Sequence, residues 1–327
     1  MKNLRRLLPG LLLCAAGAVL AVLVNRAVPT MSALLVAILL GVAVTNLVPV
    51  PPRFQPGVAC SAKRLLRIGI VLLGLQLVLG DIARLGAGMG LVIVVVVLFG
   101  ILGSFALGRA LGMAHTQCLL ISSGFSICGA AAVAGVNSVV DADEDEVATA
   151  IALVVLYGTL MIPIVPLLAH LFGLGTLPSG LWAGASIHEV AQVVAAGAAL
   201  GPAALKVAVV VKLARVLMLA PVVVVMGAWL RRSRPAQPGA NRPPIVPLFV
   251  AGFVAMVLLA SLHVVPAGWL PVIKIVQTVL LAAAMFALGL GVKVSSLVKV
   301  GPKPFVLGLL TTVWVAGIAL AGVMLVS

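Results

Sequence analysis

Apolar stretches of about 20 residues recur along the whole of this chain, and each is long enough to cross a bilayer as a helix. Runs such as 91–98 (LVIVVVVL) do not alternate between apolar and polar residues, as the strands of a membrane β-barrel do. Charged residues make up only 9% of the sequence, so a soluble fold could not cover this apolar surface. We therefore predict an all-α polytopic membrane protein in which residues 1–327 form a single integral membrane domain.

Polar residues, prolines and glycines divide the apolar sequence into about 10–11 transmembrane helices. The candidate spans are 7–24, 30–48, 65–80, 88–108, 116–138, 147–170, 180–200, 203–230, 245–262, 271–292 and 304–326.

Lysine and arginine are unevenly distributed between alternate loops, and cytoplasmic loops are normally enriched in them. If the N-terminus is cytoplasmic, most of the 21 basic residues fall in inner segments. This pattern predicts a bacterial inner (plasma) membrane protein with a periplasmic C-terminus, a cytoplasmic linker at 231–244 and a periplasmic acidic segment at 141–146. The net charge of +14 then reflects topology and affinity for membrane lipid, and no nucleic acid partner is expected.

The four cysteines form no CxxC pair, so the sequence indicates neither a disulfide framework nor a metal site. No phosphate-binding loop or other cofactor motif is present either, and no cofactor is expected.

Two features suggest a transporter architecture. Gly74-Leu75 matches Gly289-Leu290 in a span that would run in the opposite direction, as in an inverted repeat. Spans 116–138 and 180–200 each contain a polar, glycine-containing interruption. We predict interrupted helices that cross near the midplane, although the interrupted segments could instead be re-entrant hairpins. Close helix packing through small residues would also explain their composition.

Glu189 is the one carboxylate predicted deep within the membrane, and a charge there usually faces a cavity or a partner. His188 precedes it, and Gln192 lies on the same helix side as Glu189. We predict that Glu189 is a coupling carboxylate and His188 a proton relay, with Gln192 and Ser186 beside the substrate. The alternative is a polar cluster that only holds helices together.

Lys212 and Arg215 lie three residues apart in the next apolar span. Two cations within the membrane need a negatively charged partner to offset the cost of burial. We expect Glu189 to pair with one of them and a substrate anion to contact the other. Alternatively, Lys212 extends to a surface and Arg215 alone pairs with Glu189.

The first interruption adds backbone N–H groups at a half-helix N-terminus, where anions bind. Its predicted substrate contacts are Ser126, Cys128 and Gly129.

The chain resembles the YeiH-type family of bacterial membrane proteins, whose members carry a sulfate-exporter label. The resemblance is carried by four blocks: 67–76, 126–132, 186–197 (SIHEVAQVVAAG) and 211–221. Where the family usually has Cys-Gly-Ala-Ser-Ala, this chain has alanine at position 131, so one hydroxyl is missing. The resemblance implies a secondary transporter, with sulfate or a sulfonate as its cargo.

The leading hypothesis is an ion-coupled secondary transporter of a small inorganic or organic anion, with a proton or cation as the coupling ion. The rival within this class is a cation/proton exchanger in which Lys212 and Arg215 only organise Glu189. An intramembrane enzyme would use His188 and Glu189 as acid and base, but no nucleophile or second buried carboxylate accompanies them. A non-transporting sensor is a further alternative. A homodimer is a common assembly for folds of this sort.

Overall fold

The computed structural model describes residues 2–28, 33–140, 142–233, 247–292 and 301–327, and these form helices and loops without a β-strand. The helices are α1 Lys2–Ala27, α2 Ala33–Leu47, α3 Gln55–Cys60, α4 Leu66–Leu73, α5 Leu79–Ala83, α6 Gly86–Ala110, α7 His115–Ser126, α8 Ala130–Val140, α9 Glu144–Leu171, α10 Thr176–Ser186, α11 Val190–Leu200, α12 Pro202–Leu217, α13 Leu219–Ser233, α14 Leu248–Ser261, α15 Leu270–Leu290 and α16 Lys303–Val326. The linker predicted at 231–244 lies outside the described residues from position 234 onward.

Among the described residues, six helical segments are long and apolar enough to cross a membrane. They are Arg6–Ala27, Gly86–Ala110, Glu144–Leu171, Pro202–Leu230, Leu270–Leu290 and Lys303–Val326. Shorter apolar helices accompany them, and the predicted all-α polytopic membrane fold is confirmed.

The helices form two compact units. Unit 1 comprises Met1–Gln76 and Met256–Gly301, and unit 2 comprises Leu77–Ala255 and Pro302–Ser327.

In unit 1, glycines allow helix backbones to approach closely, which is a common basis of helix packing in membranes. A Cβ atom on Gly41 would lie 2.3 Å from the Phe286 carbonyl oxygen, and one on Gly289 would lie 2.3 Å from that of Ile38. Asn46 donates a 2.9 Å hydrogen bond to the Val292 carbonyl oxygen at one end of this contact.

Unit 2 contains two helical hairpins. In the first, made of α7 and α8, a Cβ atom on Gly124 would lie 2.7 Å from Val133 Cγ2, so the two arms pack against each other. The Gly129 N–H donates a 2.8 Å hydrogen bond to the Gly124 carbonyl oxygen and closes the turn. Gly129 has φ +78°, which a glycine adopts without the steric cost of a side chain.

The second hairpin is made of α10 and α11, and both of its arms lie beside the beginning of α12. A Cβ atom on Gly180 would lie 2.5 Å from the Ala204 carbonyl oxygen, while one on Gly197 would lie 3.0 Å from Leu205 Cα. Residues 180 and 197 are therefore level with each other, and the chain reverses between them.

The hairpins enter unit 2 from opposite ends. The His115 ring, at the base of the first hairpin, is stacked with Trp229 near the end of α13, with ring centroids 6.5 Å apart. The second hairpin instead lies beside the beginning of α12. The interruptions predicted in spans five and seven are therefore present, and each is the tip of a re-entrant hairpin.

This geometry bears on the predicted topology. Residues 142–146 of the acidic segment precede and begin α9, at the base of the first hairpin, where the end of α13 also lies. The membrane sides assigned to 141–146 and to the 231–244 linker stay predictions. The packing favours one side for 142–146 and the end of α13, because the first interrupted span turns back.

Candidate functional site

The tips of the two hairpins meet in the interior of unit 2. Helix α7 ends at Ser126 and α8 begins at Ala130, while α10 ends at Ser186 and α11 begins at Val190. The meeting point therefore gathers two helix C-termini, which carry unpaired carbonyl groups and partial negative charge, and two helix N-termini with the opposite character.

Arg215 binds the C-terminal carbonyl groups of both hairpins. Its guanidinium group, fully buried, donates six hydrogen bonds of 2.7–3.3 Å. The acceptors are the carbonyl oxygens of Phe125, Ser126, Gly184, Ala185 and Ile187. An arginine has five N–H groups, so this side chain is saturated by backbone oxygens.

Lys212, one helical turn earlier on α12, also joins the two tips. Its ammonium group donates to the Ile127 carbonyl oxygen at 2.9 Å and to that of Ile187 at 2.8 Å. The two cations thus offset the negative ends of α7 and α10.

Glu189 occupies the complementary position at the helix N-termini. It is the N-cap residue of α11 and forms a capping box with Gln192, whose backbone N–H bonds the Glu189 side chain. Glu189 Oε1 also accepts a 3.0 Å hydrogen bond from the Ala130 N–H at the beginning of α8. One carboxylate therefore caps both positive helix ends.

The ion pair expected between Glu189 and a basic residue is not formed. Within the described residues, no carboxylate lies at salt-bridge distance from Lys212 or Arg215. Backbone carbonyl groups accept hydrogen bonds from the two cations, and backbone N–H groups donate hydrogen bonds to the carboxylate.

His188 lies beside this cluster and is fully buried. Its Nδ1 is 3.2 Å from the Phe125 carbonyl oxygen, and its Nε2 is 3.1 Å from the Thr312 hydroxyl oxygen. Sequence reasoning missed Thr312 on α16, although a Thr-Thr pair at 311–312 in an apolar helix was a usable signal.

Two further residues predicted to contact the substrate, Gln192 and Ser186, form hydrogen bonds within the second hairpin. Gln192 is buried, and its side-chain oxygen accepts the Glu189 N–H. Ser186 donates its hydroxyl to the Trp182 carbonyl oxygen within α10, which occupies that donor.

The other three predicted contacts belong to the first hairpin. A Cβ atom on Gly129 would lie 2.2 Å from Glu189 Cγ, so glycine allows the carboxylate to approach the turn. The Ser126 side chain instead points to α6, since a Cβ atom on Gly100 would lie 2.6 Å from its oxygen. Cys128 is buried within the tip.

The fold and site together place the chain among polytopic helical membrane proteins with two opposed re-entrant hairpins and charged groups at the hairpin tips. Within that class, the chain belongs to the family described as Conserved hypothetical protein 698, whose model matches residues 9–308. Its similarity to curated UPF0324 membrane proteins extends over nearly the whole chain.

The chain is 52% identical to a UPF0324 membrane protein of Corynebacterium glutamicum, over 98% of this chain and 93% of the relative. It is 40% identical to one of Pseudomonas aeruginosa, over 96% and 93% of the two chains. It is also 40% identical to the UPF0324 inner membrane protein YeiH of Salmonella typhi, over 86% and 82%. No solved structure matched the chain.

Proposed function

We propose that the protein is a proton-coupled secondary transporter of a small anion, with sulfate and sulfonates as the first candidates. The observation that carries this proposal is the position of Glu189, a buried carboxylate that caps the N-termini of both re-entrant hairpins. Helix N-termini at interrupted segments are the usual anion sites of membrane transporters.

The Glu189 carboxylate occupies the place where a substrate anion would bind. Its oxygen accepts the Ala130 N–H at 3.0 Å, and its side chain also accepts the Gln192 N–H. A free anion would need the same N–H groups and would be repelled by an ionised Glu189. Protonation removes that charge, so the anion and the proton bind together.

The basic residues support this site indirectly. Because Arg215 is saturated by carbonyl oxygens, it acts as a positioning residue that holds the hairpin tips together. Lys212 uses two of its three N–H groups on carbonyl oxygens and can offer the third to an anion.

A cation/proton exchanger is less compatible with the contacts. Carbonyl oxygens at the tips are the ligands that a bound Na⁺ or K⁺ would need, but Lys212 and Arg215 already occupy them. Their positive charges would also repel a cation. Among the described residues Glu189 is the only buried carboxylate, which argues against an acid-base enzyme that needs a pair of them.

The test is transport by purified protein in liposomes, with labelled sulfate, taurine, chloride and rubidium. We expect Glu189→Gln to abolish uptake driven by a pH gradient, because the glutamine side chain cannot bind and release a proton. Anion counterflow should continue. The matched control is Glu144→Gln, which changes an exposed carboxylate at the beginning of α9.

Two results would count against the proposal. One is wild-type uptake driven by a pH gradient in folded Glu189→Gln protein. The other is counterflow of rubidium without counterflow of any anion, which would favour the cation exchanger.

A further inference from the structure

Five hydroxyl groups among the described residues of unit 2 are buried without a protein partner, those of Ser104, Ser123, Ser126, Thr159 and Thr311, and three of them belong to the packing of α6, α7 and α16. Ser104 on α6, Ser126 at the end of α7 and Thr311 on α16 are fully buried, and their side-chain oxygens make no hydrogen bond to any described residue. Buried hydroxyl groups in native proteins are normally paired with protein atoms or with ordered water. Each of these three hydroxyl groups therefore lacks a partner that ordered water could supply.

Helix packing brings these hydroxyl groups to neighbouring levels. A Cβ atom on Gly100 would lie 2.6 Å from Ser126 Oγ and 3.3 Å from Val315 Cγ2. Eight residues later on α6, one on Gly108 would lie 2.9 Å from Leu307 Cδ2. Helices α6 and α16 are therefore antiparallel, and Ser104 is level with Thr311 midway between these contacts. We call Ser104, Ser126 and Thr311 the hydroxyl ladder.

The ladder adjoins the polar side of the hairpin tips. The Thr312 hydroxyl oxygen, on the residue after Thr311, lies 3.1 Å from His188 Nε2 and 2.8 Å from the Gly308 carbonyl oxygen, so its one proton can be donated to either. The charged groups that act on His188 are Lys212 and Arg215 on α12, and Glu189 follows it in the chain. Cys128 lies near the same two cations, and Tyr157 packs on the Phe125 ring, which contacts the His188 ring.

Water is the ligand that fits the ladder. A hydroxyl group both donates and accepts, and a buried water needs about two to four such partners. A metal cation is disfavoured because the ladder holds no carboxylate, and the cationic Arg215 binds the Ser126 carbonyl oxygen next to it.

We propose that the hydroxyl ladder holds internal water and forms the proton route to His188. The assignment as a proton route rests on the proposed function, whereas the water site does not. A neutral imidazole has one N–H, and Phe125 offers only an acceptor, so Nδ1 donates there and Nε2 accepts the Thr312 hydroxyl proton. A proton that reaches Nε2 gives an imidazolium and turns the Thr312 hydroxyl to donate to Gly308, and the proton leaves by the same nitrogen because Nδ1 faces only the Phe125 carbonyl oxygen.

The water site is tested by a double-mutant cycle on thermal unfolding, with Ser104→Ala, Thr311→Val and the double variant. If water bridges the two hydroxyl groups, each single variant melts below wild type, and the double variant loses less than the sum of the two shifts. Thr159→Val is the matched control, because it removes another buried unpaired hydroxyl group on α9, outside the ladder. The melting-temperature shifts of Thr159→Val and Ser104→Ala should be additive in the double variant.

Single variants that melt at or above the wild-type temperature would show dry hydroxyl groups and overturn the water site. The proton route is tested in the same liposomes. We expect Thr311→Val to slow uptake driven by a pH gradient several-fold while anion counterflow is kept. An unchanged ratio of the two rates would overturn the route. If wild type transports no anion, the proposed function fails, but the unfolding cycle still decides the water site.

Discussion

Replacement of Arg215 by lysine keeps the positive charge but removes the geometry that joins the hairpin tips. Arginine reaches five carbonyl oxygens, two from the first hairpin and three from the second. Lysine has three N–H groups, so at least two of these carbonyl groups lose the hydrogen bond from residue 215. Among the described residues, the Phe125 and Ile187 carbonyl groups keep His188 and Lys212 as donors, whereas those of Ser126, Gly184 and Ala185 depend on Arg215 alone. At about 0.5–1.5 kcal/mol for each of two lost hydrogen bonds, the variant should lose about 1–3 kcal/mol of stability.

The assay is reversible unfolding of purified protein in detergent, followed by near-ultraviolet circular dichroism. Arg84→Lys is the control, because the Arg84 side chain is 85% exposed and pairs only with the exposed Asp81. Sulfate, taurine and chloride titrations on the folded variant separate stability from binding. An Arg215→Lys protein as stable as wild type, with sulfate affinity reduced, would refute the positioning role and restore direct anion contact.

Two further predictions follow from the hairpin geometry. Gly129→Ala should unfold at a lower temperature than Gly86→Ala, because both positions have positive φ but only the new methyl group at 129 meets Glu189; equal melting would show that this contact is unimportant. Single cysteines at Asp143 and Arg232, in a background without the native cysteines, should react with an impermeant thiol reagent from the same side of the membrane. Labelling from opposite sides would contradict the re-entrant first hairpin.

Several features of the fold were predictable from local sequence. The candidate spans at 147–170 and 304–326 agree closely with helices Glu144–Leu171 and Lys303–Val326, since a long apolar run in a bilayer has few alternatives to a helix. The interruption before Glu189 was predictable from its glycine and polar residues. The spacing of Glu189 and Gln192, which form a capping box, is a further local signal of a helix start after Glu189.

Local sequence was enough to predict that the chain is a polytopic helical membrane protein, that His188 and Glu189 lie at a break in a span, and that Lys212 and Arg215 lie within the next apolar span. Those conclusions depend on composition and on contacts between near neighbours. Tertiary packing was needed to show that the interrupted segments turn back as opposed hairpins and that Arg215 donates to carbonyl oxygens up to 90 residues away. Every residue carries a carbonyl group, so no residue type marks the ones that will face an arginine. Their selection depends on how the chain reverses at each hairpin, and long-range packing sets that reversal.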